Sequence, residues 1–367
     1  MISINLNIIV SKFIFLVVFI LKRLFLGLIA ILVISGIICT IIYMAPVDPA
    51  RLSFGQRSDE TTVSLYKKKY FLDQPLSVQV FKYFEDLSPI QFLNISDLRL
   101  EDYSYVSVYK GQEKLVILKK PYFRKSYASS VSVWNLITDA LPSTLILSFI
   151  AIVLSVLIGM SLGAVCSFNY NTAIDRYILA FCTLGYAIPS YISAIVVSVI
   201  FAFVLGHFTH LPIQGSLYEF DDFGNVELRW ANVILPALAL GIRPVAMICQ
   251  MTRASLLDVI SADYIRTARS KGIRPWLLMI KHILPNAINP ILTTISSWFA
   301  SLLTGAFFVE YVFNYKGLGM LTITAINQYD VPLILGTCIF AIIIFVGINM
   351  ITDILYRWFD PRIKLPS

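Results

Sequence analysis

Histidine is scarce, with three in 367 residues, and charged side chains make up only 14% of the chain. His207 and His210 stand three apart without further ligands nearby, so His207-Phe208-Thr209-His210 reads as part of a solvated loop and not as a metal centre; His282 lies beside an apolar run. No H-E-x-x-H pair and no G-x-x-x-x-G-K run occur, and no Ser/His pairing falls inside an apolar run. These absences leave the chain without a catalytic set, a metal site or a phosphate cradle of its own, and an enzyme is not expected. The five cysteines, Cys39, Cys166, Cys182, Cys249 and Cys338, all fall within or at the ends of apolar runs. They imply no disulfide framework and are read as small packing residues.

What the chain has instead is apolar length. Hydrophobic residues make up 57% and the mean hydropathy is +0.77, far from the soluble profile. Six runs of roughly 20 residues can each cross a bilayer: Leu24–Met44, Thr144–Cys166, Tyr177–Leu205, Ala231–Met251, Ala287–Phe308 and Val331–Met350. At ~1.5 Å of rise per residue the first would reach ~31 Å, one hydrocarbon thickness. The expected fold class is an all-α integral membrane protein with six transmembrane helices. Phe13–Leu21, too short to span, is read as an interfacial or elbow helix leading into the first span, a single long tilted helix being the alternative. It is followed by no small-residue cleavage site of a secretory signal. The net charge of +7 sits mostly at span ends, which makes lipid headgroups and topology its explanation, and nucleic acid is not expected as a partner.

Charge also orients the chain. Arg253–Pro285 carries six Lys/Arg against two Asp, whereas Gly206–Trp230 carries one Arg against four acids. The positive-inside rule puts Arg253–Pro285 in the cytoplasm. With Lys22-Arg23 before the first span, Asp175-Arg176 in a short loop, and Arg357, Arg362 and Lys364 after the last span, both termini are expected in the cytoplasm. The external segments are then Ala45–Pro142, Gly206–Trp230 and Val309–Asp330. Within the basic stretch, Ala262–Gly272 reads as a short helix stopped by glycine, too polar to insert and suited to docking on a soluble partner.

Two features lie at membrane depth. Thr293, Ser297, Ser301 and Thr304 recur at helical spacing as a stripe of hydroxyls, and Ser297-x3-Ser301-x3-Gly305 is a small-xxx-small pattern. Close helix packing and a polar wall for a translocated solute are both open readings, and they are compatible. Arg243 lies ten residues from Arg253, ~15 Å along a helix from the cytoplasmic edge. A guanidinium there is costly and faces an aqueous cavity or a partner group. It either satisfies a backbone carbonyl freed at a proline, or it faces the translocation path and attracts a carboxylate. Pro244 next to it and Pro236 two turns earlier predict an irregular span.

The segment Asp263-Tyr264-Ile265-Arg266-Thr267-Ala268-Arg269-Ser270-Lys271-Gly272, followed after nine residues by His282-Ile283-Leu284-Pro285, resembles the cytoplasmic signature loop of ABC importer permeases of the dipeptide/oligopeptide/nickel family. Arg266-Thr267-Ala268 stands where the general pattern has Glu-Ala-Ala, as is typical of that subclass. Further resemblances are Phe19-Ile20-Leu21-Lys22-Arg23-Leu24 and Ala45-Pro46-Val47-Asp48-Pro49-Ala50 around the first span. Leu72-Asp73-Gln74-Pro75-Leu76 and Leu141-Pro142-Ser143-Thr144-Leu145 fit the external segment. Glu310 with Gly317-Leu318-Gly319, and Phe359-Asp360-Pro361-Arg362, fit the last third. The match runs over roughly Phe19–Leu365, except about Leu87–Tyr122.

The resemblance implies a type I ABC importer transmembrane fold with a large external insertion between helices 1 and 2, in the B-type, longer-external-loop member of a permease pair. The division would be 1-23 N-terminal segment, 24-44 first helix, 45-141 external segment, and 142-367 permease core with coupling loop 253-285. Implied partners are a second homologous permease, two ABC ATPase subunits that bind the ATP and Mg, an extracytoplasmic solute-binding protein and membrane lipids. No cofactor is expected on this chain. Asp263, Tyr264, Arg266, Thr267, Ala268, Arg269, Lys271 and Gly272 would dock the ATPase, small Ala268 and Gly272 allowing close approach. Arg243, Thr293, Ser297, Ser301 and Thr304 would line the path, in a multi-pass protein of a prokaryotic cytoplasmic (inner) membrane. Peptide is the favoured cargo, with nickel or another small solute as the alternative. A secondary transporter or channel would leave the basic cytoplasmic helix without a purpose and would call for paired Asp/Glu within the spans. A membrane-anchored sensor would not need six spans.

Overall fold

The computed structural model of the chain describes residues 2–44, 60–95, 97–221 and 223–359. Ala45–Ala50 and Asp360-Pro361-Arg362, quoted above for their resemblance, lie outside the described residues, as does the side chain of Thr304. The helices are α1 (Ile2–Tyr43), α2 (Glu60–Lys69), α3 (Leu76–Leu87), α4 (Val133–Phe168), α5 (Ala173–Ala187), α6 (Ser190–Val197), α7 (Gly206–Thr209), α8 (Ala231–Ile260), α9 (Asp263–Ser270), α10 (Pro275–Leu278), α11 (Leu284–Gly305), α12 (Phe307–Val312), α13 (Leu318–Asn327) and α14 (Val331–Phe359). Strands β1 (Ile90–Asn94), β2 (Tyr105–Lys110) and β3 (Lys114–Lys119) make an antiparallel sheet of order β1-β3-β2, and β4 (Tyr218–Phe220) pairs with β5 (Val226–Leu228).

Four helical stretches among the described residues are long and apolar enough to cross a membrane: Ile20–Tyr43, Val133–Phe168, Ala231–Ile260 and Val331–Thr352. The third expected span is broken: α5 and α6, with the π-helical turn Ser198–Val204 after it, bend by 111° at Ile188-Pro189. The proline in Ile188-Pro189 ends α5, because the residue before a proline is pushed out of the helical region, and Ile188 is extended. The fifth expected span is the 22-residue α11, whose Asn286, Asn289, Thr293, Thr294, Ser296, Ser297 and Ser301 dilute its apolar content; it is not among the four. Three further expectations are corrected. Phe13–Leu21 is no separate elbow, since α1 runs unbroken for 42 residues. Pro236 and Pro244 leave α8 a continuous 30-residue helix. The class is not purely helical, because two small sheets are present.

The chain divides into two compact units. The first comprises 1–139 and 321–346. In its sheet, Leu93, Leu115 and Ile117 turn inward with Tyr103. Beside them the buried Asp86 accepts hydrogen bonds from the Tyr103 hydroxyl (2.6 Å), Arg99 Nη1 (3.0 Å) and Arg124 Nε (2.8 Å). A carboxylate with no exposure survives only with such compensation.

The second unit, 140–320 and 347–367, holds the candidate site. Its core gathers Leu147 and Ala151 from α4, Leu235, Ala239 and Ile248 from α8, Leu302 from α11, and Val309, Phe313 and Tyr315 beyond it. Helices α4 and α8 approach closely through Gly159-x3-Gly163. A Cβ at Gly159 would lie 2.9 Å from the Val245 carbonyl oxygen, and one at Gly163 would lie 2.6 Å from that of Cys249. Small residues let backbones touch where no hydrophobic force separates helix from lipid.

Candidate functional site

The segment expected to dock is seated by a single buried anchor. In α9 only Ile265 is fully buried, packing with Leu256, Leu278, Ile283 and Ala287. Full burial of such a side chain contributes about 2 kcal/mol, enough to seat an eight-residue helix that would not form alone. Asp263, Tyr264, Arg266, Thr267, Arg269, Lys271 and Gly272 are all exposed. Arg266 reaches Asp263 at 3.8 Å, a solvated contact of little energetic weight. Gly272 ends the helix with φ +74° and open space around its Cα, the conformation glycine adopts without strain. Ala268 is turned inward, half-buried against the Ile265 cluster, unlike the exposed residues on either side of it.

Two links fix this segment to the apolar helices. Asp175, buried in the first turn of α5, takes a bidentate ion pair from Arg253, with Nε–Oδ1 and Nη2–Oδ2 both 2.7 Å. Tyr170 lies under the same guanidinium at 5.2 Å. After α9 and the non-helical turn 271–274, Pro275–Leu278, the π-helical turn Met279–Ile283 and Leu284–Gly305 follow one another without a break, one helical rod leading into α11. Thr293, Ser297 and Ser301 are exposed along that rod. Thr293 donates to the Asn289 carbonyl (3.0 Å) and Ser301 to that of Ser297 (3.0 Å).

Arg243, half-buried in α8, does not make the carbonyl contact that one reading expected of it. No carbonyl or carboxylate among the described residues receives it, and its Nε is buried without a hydrogen-bond partner. It lies between two rings, 5.3 Å from the centroid of Tyr186 and 5.9 Å from that of Trp298, which themselves meet edge-on at 6.3 Å. Each cation–π contact is worth about 0.5–2 kcal/mol. A charge at membrane depth costs about 2.5–3.5 kcal/mol or more, so the rings offset much of the cost without satisfying the Nε–H.

A third constellation joins motifs far apart in sequence. Glu310 is fully buried; its Oε1 accepts from the Thr144 hydroxyl (2.7 Å) and its Oε2 from the N–H groups of Gly319 (2.7 Å) and Met320 (3.1 Å). Thr144 Oγ1 in turn accepts from the Leu318 N–H (2.8 Å). The first three N–H groups of α13, which lack partners within the helix, are thus all satisfied. Burial pushes the carboxyl up to about 7, with the Thr144, Met320 and Gly319 donors pulling it back. Tyr186, Trp298 and the Asp175–Arg253 pair were not singled out from sequence as partners. Their mates are 57, 55 and 78 residues away (243 − 186, 298 − 243 and 253 − 175), beyond any local periodicity.

The comparisons with known proteins define a membrane transport component. Residues 155–365 match the family described as binding-protein-dependent transport system inner membrane component, and residues 16–94 match the N-terminal part of such components. The chain belongs to that family, as a multi-pass ABC importer permease of the inner membrane. It is 31% identical over 348 residues to the probable peptide ABC transporter permease protein y4tP of Sinorhizobium fredii, covering 95% of this chain and 99% of that one. It is 29% identical over 347 residues to the dipeptide transport system permease protein DppB of Bacillus subtilis, covering 95% and 98%. It is 30% identical over 347 residues to the glutathione transport system permease protein GsiC of Salmonella paratyphi A, covering 94% and 98%. A solved inward-facing form of the MetNI methionine ABC transporter aligns with a TM-score of 0.51 at 17% identity, over 61% of this chain and 96% of that one. The likeness is one of fold, the type I ABC importer transmembrane fold.

Proposed function

We propose that this chain is one of two permease subunits of an ATP-driven peptide importer and forms half of its translocation pathway. The observation that carries this reading is α9, a helix seated by one buried isoleucine with its cations and Tyr264 displayed outward. It lies inside the region that matches the inner-membrane transport family. Arg266, Arg269 and Lys271 meet carboxylates on an ATPase, and Gly272 permits close approach. The cofactors, ATP and Mg, belong to two such ATPases, and no cofactor is bound here. The relatives named for peptides, dipeptides and glutathione support peptide over nickel chelates as the cargo.

Six membrane passages with both termini cytoplasmic complete the reading, the bent α5–α6 pair and α11 supplying the two beyond the four single apolar helices. An external insertion follows the first passage, a solute-binding protein delivers cargo outside, and the domain division is that given above. Closure of the ATPases moves α9, and the rod Pro275–Gly305 carries that movement to the exposed stripe, a rigid-body route to alternating access. In intact cells Phe223→Cys, 90% exposed in an external loop, should react with an impermeant thiol reagent and Ser270→Cys should not. The functional test is uptake of a dipeptide by the assembled transporter bearing Arg266→Glu or Gly272→Trp. Both variants should insert normally and lose uptake together with ATPase co-purification. Retention of the ATPases by both would count against the assignment.

A further inference from the structure

Among the described residues, Arg243 stands within a membrane-spanning helix with no carboxylate to meet it. Its guanidinium is flanked by Tyr186, at the end of α5 where the third span breaks, and by Trp298, on the helix that carries the exposed Thr293 and Ser297. Its Nε–H is buried and unpaired. Polar groups held away from water are normally bonded, and an exception calls for a partner, which on a half-buried cation within a span can be an anion that comes and goes. The two rings flank the guanidinium without taking hydrogen bonds from it as a carbonyl or carboxylate would.

We propose that Arg243, Tyr186 and Trp298 form a carboxylate-binding station in the translocation pathway, at which the C-terminal carboxylate of a passing peptide pairs with the guanidinium. This rests on the peptide-permease reading above. A planar fork with one positive charge suits a single carboxylate, and the flanking rings suit the apolar side chains and peptide planes beside it. Thr293 already donates its hydroxyl hydrogen to the Asn289 carbonyl, so towards a solute it acts as an acceptor. Peptide N–H groups are the complementary partners. A guanidinium on one helix and an accepting hydroxyl on another therefore match the polarity of a peptide's carboxyl end. The cation-π resting state also lets the carboxylate leave, because Arg243 returns to the rings and not to bare hydrocarbon.

The test uses the complete transporter (both permeases, both ATPases, binding protein) in proteoliposomes, importing alanylalanine, with uptake divided by the amount of assembled complex. Arg243→Cys and Arg243→Gln should reduce uptake by about tenfold to a hundredfold, the worth of one charge-assisted pair, and Arg243→Lys should keep part of it. Treating Arg243→Cys with an ammonium-bearing methanethiosulfonate should restore uptake, while the sulfonate-bearing reagent should not. The unsubstituted complex under both reagents controls for the native cysteines, four of which are buried. A thiol at 243 that reacts with neither reagent, adducts of both signs with equal effect, or full uptake by untreated Arg243→Cys would each overturn the station. An unsubstituted complex that imports no dipeptide would instead overturn the peptide-permease reading.

Discussion

The Glu310 clamp makes the sharpest energetic prediction. One fully buried carboxyl group satisfies the Thr144 hydroxyl and the N–H groups of Gly319 and Met320. Glu310→Ala orphans these donors at roughly 1–3 kcal/mol each, with partial relaxation, for a loss of about 3–6 kcal/mol. Glu310→Gln keeps one oxygen for the two N–H groups and turns its amide to Thr144, leaving only the threonine hydroxyl hydrogen unpaired, a loss of about 1 kcal/mol. The two variants also differ in pH dependence. The folded carboxyl titrates at about 7, above its unfolded value of 4.5, so its contribution to stability is complete below pH 4.5 and is lost as pH rises through 7. A displacement of that size corresponds to roughly 3 kcal/mol between pH 4 and pH 8. Thermal unfolding of the detergent-solubilised protein, followed by size-exclusion of the surviving fraction, reads this directly. The unsubstituted protein should lose stability from pH 5 to pH 8. Glu310→Gln should stay level across that interval, matching or exceeding the parent at pH 8, and Glu310→Ala should be weak throughout. The same decline in Glu310→Gln, or an alanine variant as stable as the parent, would refute the reasoning.

Other perturbations have different signatures. Gly319→Ala would set a Cβ 2.3 Å from the Phe307 Cα, a backbone clash that should cost about 3 kcal/mol and show as a lower unfolding temperature. Asp175→Asn should cost about 2–3 kcal/mol by leaving Arg253 half-paired, less than a wholly buried pair because the guanidinium keeps some exposure and the Tyr170 ring; protease accessibility of the docking segment should rise with it. Ile265→Asp should unseat α9 while the apolar helices remain inserted, lowering ATPase co-purification and leaving membrane abundance within about twofold, since an exposed eight-residue helix contributes little to the core.

Apolar length gave the first, second, fourth and sixth spans, because a run such as Leu24–Met44 has no alternative in water. The third span was legible as apolar and not as broken: its 111° bend hinges on one proline, and a proline inside α8, at Pro244, bends nothing comparable. The fifth span was read from Ala287–Phe308, and its polar residues are what keep α11 from being apolar enough to cross by composition alone. The docking helix could be read because its determinants are local, an isoleucine among polar residues and a glycine stop. The inward turn of Ala268 could not, since it depends on where Leu256 and Leu278 lie. Arg243 was marked by depth alone, while its rings come from α5 and α11 and appear only once those helices meet α8. The sheet in Leu87–Tyr122 has alternation in β3 but none in the fully exposed β2, which hides it from a pattern search.

The central claim is that α9 meets the ATPase. A photo-crosslinking amino acid at Thr267, exposed on that helix, and another at Phe223, exposed in the loop between β4 and β5, compare the two positions in one gel. Irradiation of the assembled transporter should join the chain to an ATPase subunit from position 267 and never from position 223. No ATPase adduct at 267, with adducts at 223, would contradict the account.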